Sequence, residues 1–202
     1  MREDKIVVEL PAPEQDGEMS LEQALLRRRS VREFSDAPVS LEQLAQLLWA
    51  AQGITSGDRL RTAPSAGALY PLEIFVAAGN VKGLGEGIYR YDPRAHSLIL
   101  ESTGDKRTEL KSAALSQSPI SDAPVVFVFA AVYTRITSKY GDRGIMYAHI
   151  EAGHAAQNLL LQCAALGLGA VPIGAFHDDR VKKVLGISED PLYIIPAGGT
   201  DK

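Results

Sequence analysis

Residues 125–132 read VVFVFAAV, eight apolar side chains in a row, mostly β-branched or aromatic. A strand with one wet face alternates polar and apolar residues. This one does not, so both its faces must be covered. Helices on both sides of a sheet are the simplest way to cover them. The run is also far short of the roughly 18 apolar residues that a membrane span needs, and no other stretch reaches that length. The chain is therefore expected to avoid the membrane.

The flanking sequence supplies the covering elements. The tetrapeptide SLEQ occurs at 20–23 and again at 40–43. Each copy is a capping-box signature, a serine accepting from a first-turn amide with a glutamine reaching back. Helices over 20–28 and 40–51 follow, the repeat being capping chemistry and not a duplication. A strand is predicted over 72–78, and a hairpin whose arms are 87–91 and 98–101 turns around Asp92 and Pro93. A helix at about 105–116, a short strand at 170–174, a helix at 178–185 and a last strand at 192–196 complete the pattern. Residues 144–166 are rich in Ala and Leu with few charges, and Gly167 stops them; this long helix is expected to be central and buried. The class is α+β, a mixed or antiparallel central sheet flanked by helices. Residues 1–18, rich in proline and acids, are expected to form an extended arm, and 19–202 a single domain.

Composition excludes several functions. Net charge is −4 and the 202 residues are 46% hydrophobic, which argues against a nucleic-acid partner and for an ordinary soluble core. A lone Cys163 permits neither an intrachain disulfide nor a CxxC pair. Residues 1–10 carry no signal-peptide core, so a cytoplasmic location is expected.

Three segments could carry chemistry. In RRRSVREF at 27–34, four arginines and a serine fall within six residues of an acidic protein. Arginine forks match phosphate oxygens, but the same run also suits a solvated cationic helix end. In PSAGALYP at 64–71, small residues admit a flat ligand close to the backbone; equally, it reads as a proline-bounded turn. In GLGAVPIGAF at 167–176 the glycines follow a helix and precede a strand, the reverse of a dinucleotide fingerprint.

In that order, and closing on PLYIIPAGG at 191–199, the chain resembles the FMN-dependent nitroreductases over about residues 20–199. Within that family it is similar to the branch that contains thiazole- and oxazole-forming peptide (azoline) dehydrogenases. The resemblance implies a domain-entwined homodimer with FMN, non-covalently bound, at the subunit interface. It assigns Arg28, Arg29, Ser30 and Arg32 to the phosphate and ribityl chain. Pro64, Ser65, Ala66, Gly67 and Ala68 become the loop that the partner subunit lays against the flavin. Pro172, Ile173, Gly174 and Ala175 run beside the ring, and Lys202 is the one basic residue at the C-terminus. Lys139 and Tyr140 match a pair implicated in taking a proton during azoline oxidation; on residue type they also read as a solvated lysine and a half-buried tyrosine. Two departures stand out: many members carry an acid where Gly174 stands and an amide where Ala68 stands.

The implied activity is an oxidoreductase passing hydride through the flavin N5 in a ping-pong cycle; its expected substrate is a small nitro, quinone or azoline-like compound, with NAD(P)H as a transient donor. The absence of a separate leader-peptide domain weighs against a dedicated peptide modifier. A non-catalytic flavin-binding or sequestering protein is the alternative. No metal is expected: His149 and His154 lie about 140° apart on a helix and form no zinc pair.

Overall fold

The computed structural model describes residues 6–201. In chain order the elements are β1 (Val7–Glu9), α1 (Leu21–Arg27), β2 (Val39–Ser40), α2 (Leu41–Gln52), β3 (Leu72–Ala78), β4 (Val81–Lys82), β5 (Gly87–Asp92) and β6 (Ser97–Thr103). There follow α3 (Arg107–Ala113), α4 (Pro119–Asp122), β7 (Val125–Ala131), α5 (Tyr133–Tyr140), α6 (Arg143–Ala165), β8 (Gly169–Ala170), α7 (Asp178–Leu185) and β9 (Asp190–Gly198). A single 3₁₀ turn, Ala66–Ala68, interrupts the segment between α2 and β3.

Seven strands form one sheet in the order β1-β6-β5-β3-β7-β9-β8, with every neighbouring pair antiparallel. The apolar run over 125–131 is an interior strand, the fifth of the seven, paired with β3 on one side and β9 on the other. Its side chains alternate between two cores. Val125, Phe127, Phe129 and Ala131 pack with α2, α5 and α6, whereas Val126, Val128 and Ala130 pack with α3, α4 and α7. That double covering is why the sequence shows no period of two.

Both serine caps form. Ser40 Oγ accepts from the Gln43 amide at 3.2 Å while Gln43 Oε1 accepts from the Ser40 amide at 2.9 Å. At Ser20 only the serine half is made.

Three differences from the sequence-based expectations have local causes. The strand expected over 170–174 shrinks to two residues of β8 and an isolated Ile173–Ile194 bridge, because Pro172 and the facing Pro196 lack an N–H for the ladder. The helix expected to reach 116 ends at Ala113, where the chain turns left-handed at Leu115 and Ser116. The helix α6 buries one face only. Ala148, Ala152, Ala155, Ala156 and Leu159 face the core, while Ile145, Met146 and Ile150 are exposed. Apart from these, the acidic, proline-rich arm is tied down as it runs: β1 pairs with β6, and the Glu14 backbone exchanges hydrogen bonds with the Gln46 amide of α2.

Candidate functional site

The arginine segment is built by the end of α1. Arg28 caps the helix with an extended backbone and turns the chain out. The chain then runs beside β8, with the Val31 amide donating to the Ala170 carbonyl at 3.0 Å and Ser30 bridging Ala170 in parallel. Only glycine allows this approach at 169, since a Cβ there would stand 2.8 Å from Val31 Cβ. Arg28 is half-buried and Arg29, Ser30 and Arg32 are exposed. Arg29 Nη1 donates to the Leu26 and Arg28 carbonyls, so that nitrogen satisfies its own helix end. A cavity of about 420 Å³ opens here, lined by Arg27, Arg28, Arg29, Gly167, Gly169 and Thr200 among others, with no acidic side chain in its wall. Arg32 lines a neighbouring cleft with Glu33 and Asp201. Lys202 lies outside the described residues.

The 64–68 loop has an unusual backbone. Gly67, Ala68 and Tyr70 take φ of 61°, 52° and 47°, a region that costs a non-glycine residue about 1 kcal/mol or more. Ser65 holds the turn closed, its Oγ accepting from the Tyr70 amide at 2.9 Å and its carbonyl from the Ala68 amide at 3.0 Å. Pro64, Gly67 and Ala68 are exposed, with Ser65 and Ala66 partly so.

At this loop the structure brings in Lys139 and Tyr140. A Cβ on Gly67 would stand 2.8 Å from Tyr140 Oη and 2.9 Å from Lys139 Nζ. Both side chains come from the last turn of α5, whose Ile136 is fully buried and anchors the helix. The Tyr140 ring meets Tyr147 of α6 edge-on at 5.2 Å. Two proton-bearing groups therefore touch a surface made of small residues.

Beneath the loop lies a polar group that sequence reasoning missed. Glu151, on the buried face of α6, is 1% exposed. Its Oε1 accepts from Gln52 Nε2 at 3.4 Å, and Gln52 Oε1 accepts from Arg61 Nη1 at 2.8 Å. The Arg61 guanidinium stacks on the Tyr70 ring, 4.3 Å from its centroid. Burial pushes the Glu151 carboxyl up to about 7, against the opposing pull of Ser65, Gln52 and Arg61. Burial likewise lowers the Arg61 pKa, with Glu151 the largest opposing influence. The available signal was an acid at a core register, between Ala148 and Ala152.

The third segment leaves the sheet after Ile173, which exchanges two backbone hydrogen bonds with Ile194 at 2.8 and 3.0 Å. Pro172 is partly buried, and Gly174 and Ala175 are exposed. The Ala175 carbonyl accepts from Gln117 Nε2 at 2.9 Å. A Cβ on Gly174 would find only Tyr193, at 4.0 Å, so the space beside it is open.

Within one chain the two main segments are far apart. The cavity beside the arginines is lined by Leu160, Cys163 and Ala164 of α6, whereas the loop sits over Glu151. At 1.5 Å per residue, that is roughly 14–20 Å along the helix.

The nitroreductase family profile matches residues 25–199. A nitroreductase-type relative from Methanocaldococcus jannaschii is 45% identical over 96% of this chain and 97% of its own length. The chain belongs to the nitroreductase family. A solved nitroreductase-type structure from Ralstonia eutropha superposes with a TM-score of 0.85 at 32% identity, covering 97% of this chain and 90% of its own. More distant relatives include the microcin B17-processing protein of Escherichia coli, 27% identical over 66% of this chain and 51% of that protein. An FMN reductase [NAD(P)H] of Bacillus subtilis is 24% identical over 87% and 62%. The chain thus spans about half to two thirds of the length of these two. Among the described residues no helix is long and apolar enough to cross a membrane.

Proposed function

We propose that this nitroreductase-family chain is an FMN-dependent oxidoreductase that works as a homodimer, moving hydride to or from a small organic substrate. The observation that carries the reading is the contact at Gly67, where a left-handed, side-chain-poor loop meets Tyr140 Oη and Lys139 Nζ within about 3 Å of where its Cβ would be. Such a surface suits a flat ring, and proton-bearing groups beside it suit a reaction that moves a proton with a hydride.

The donor chemistry fits FMN at each segment. The acid-free cavity beside Arg28 suits a phosphate, and the exposed Ser30 offers a hydroxyl to a polyol chain. Gly174 leaves open room for the edge of a ring. When bound, FMN supplies two-electron chemistry, and the protein supplies binding, orientation and electrostatics. Lys139 and Tyr140 then hold a proton at the substrate face, and Arg28 and Arg32 hold the phosphate.

A homodimer is part of this reading. One chain separates its arginines from its 64–68 loop by roughly 14–20 Å of α6, which leaves room for the loop of a second copy to complete the site. The exposed Ile145, Met146 and Ile150 at the start of α6, and separately Leu25 and Leu26 of α1, are apolar surface available to that copy.

The lack of a polar side chain at Gly174 and Ala68, where many members of the family carry one, favours a second reading, a flavin-binding protein without turnover. Anaerobic stopped-flow of the flavin-loaded protein with NADH and NADPH separates the cases. Rapid bleaching by either donor supports a reductase. No bleaching by the donors, but reduction by an azoline substrate, supports a dehydrogenase, and no reduction by any of them leaves the binding protein. Failure to retain any flavin overturns both readings.

A further inference from the structure

We propose that Glu151 is a positioning residue of the flavin site, its carboxyl setting the direction of the Ser65 hydroxyl and with it the seating of the ring on the 64–68 loop. The inference rests on the flavin reading above.

An acid at 1% exposure, with Ala148, Ala152 and Ala155 as its neighbours on the helix face, is costly to bury. It is also not neutralised by a direct ion pair. The guanidinium of Arg61 reaches Gln52, and only the amide of Gln52 reaches Glu151. The pull of Arg61 on the carboxyl is smaller than the effect of burial, which leaves the acid able to take a proton near neutrality. The groups that face it are Gln52 from α2 and Arg61 and Ser65 from the segment after α2. Tyr70, Glu73 and Arg135 act on Arg61 itself. On α6 itself, Tyr147 and His154 stand about one turn to either side.

The proton inventory points to Ser65. Its oxygen already accepts from the Tyr70 amide, so its one proton has two directions to choose between. Glu151 Oε2 is buried and makes no hydrogen bond among the described residues, and the Ser65 hydroxyl acts on this carboxyl. When Glu151 is ionised, it draws the Ser65 proton inward. When Glu151 is protonated, it carries its own proton, and the Ser65 hydroxyl is released toward the exposed face of the loop. By linkage, flavin binds more tightly to the protonated protein.

The test is a fluorescence titration of the flavin-free protein with FMN and with riboflavin between about pH 6 and pH 8. Wild type, Glu151→Gln and Ser65→Ala are compared. Riboflavin removes the phosphate's own titration, which all three proteins share. The expected result is a wild-type dissociation constant for riboflavin that rises roughly fivefold or more across this range, with flat profiles in both variants. A group that merely props the fold would lower affinity equally at every pH. Profiles for Glu151→Gln and Ser65→Ala parallel to wild type overturn the proposal while leaving the flavin site standing. Should Glu151→Gln fail to fold, Ser65→Ala alone decides it. A wild type that binds neither flavin at any pH overturns this inference together with the reading it rests on.

Discussion

Val31 and Gly169 touch so closely that no side chain fits between them: a Cβ at 169 would meet Val31 Cβ at 2.8 Å and Thr200 Cγ2 at the same distance. This contact, more than any arginine, fixes where the cationic segment lies. Gly169→Ala should therefore cost about 1–3 kcal/mol in stability, the range for overpacking a tight interior. It should also weaken FMN binding, although it removes no ligand-facing group. Denaturant melts and an FMN titration of the same variant check the two effects together.

Arg28→Ala and Arg32→Ala should each weaken FMN binding by roughly 1.5–3 kcal/mol, the worth of a hydrogen bond to a charged group. Arg29→Ala should cost less affinity and more helix, since Arg29 Nη1 is already used by the Leu26 and Arg28 carbonyls. Titration of flavin-free protein ranks the three. Equal, negligible losses at Arg28 and Arg32 would return the cluster to the solvated surface.

Gly67→Ala should displace the pair that faces the loop. The new methyl meets Tyr140 Oη at 2.8 Å and Lys139 Nζ at 2.9 Å, on a backbone with φ of +61°. A stability loss of about 1–2 kcal/mol is expected. Tyr140→Phe and Lys139→Ala should instead keep both fold and flavin and slow substrate turnover. Their flavin content, read by absorbance, and their steady-state rates separate these outcomes.

The buried carboxyl gives stability a pH dependence of definite sign. Glu151 rises from an ordinary value of 4.5 to about 7 in the folded chain, so the native state holds its proton more tightly than the unfolded state. The stabilisation is complete below about pH 4.5 and is lost as pH climbs through about 7. Its size is roughly 3 kcal/mol, from 1.36 kcal/mol per unit. The stability difference between wild type and Glu151→Gln, measured by urea unfolding of flavin-free protein at pH 5 and pH 8, isolates it.

Assembly and cofactor should be lost together at one helix face and separately at the loop. Ile150, 48% exposed on α6, can accept a charge without damage to its own subunit. Ile150→Arg should therefore yield monomers that lack flavin. Ala156 would be a poor probe, because at 1% exposure it packs in its own chain's core and an arginine there breaks the fold. Ser65→Trp should lose flavin and keep the dimer. Sedimentation with flavin absorbance distinguishes them, and an Ile150→Arg monomer holding stoichiometric FMN would sink the shared-site proposal.

Much of the scaffold was legible because burial wrote itself into residue type. The bounds of β3 and α7 follow directly from their apolar and capping patterns, and β7 from its unbroken run. The α5 helix was not legible, since Tyr133, Ile136 and Tyr140 are its only apolar residues and Thr, Arg, Ser and Lys separate them. Its absence from the sequence reading left Lys139 and Tyr140 without a scaffold. Their meeting with Gly67 is a tertiary fact. Glu151 was missed for a different reason: an acid counts as surface by type, and only its register with Ala148 and Ala152 reveals the core. The proposed sharing of the site between two copies rests on family resemblance, because no short-range pattern in one chain's residues encodes a partner's loop.

The sheet ends in strands of three residues at β1 and two at β8, and the first of these comes from the arm. Beneath β1 lies β6, seven residues long, whose outer backbone groups would otherwise be free to pair with another chain. An uncovered edge of that length is a template for uncontrolled growth. The arm, with its own Val7 exposed, acts as a selvedge: its three residues bind off the Ser97–Ile99 end of that edge with a strand too short to be extended far.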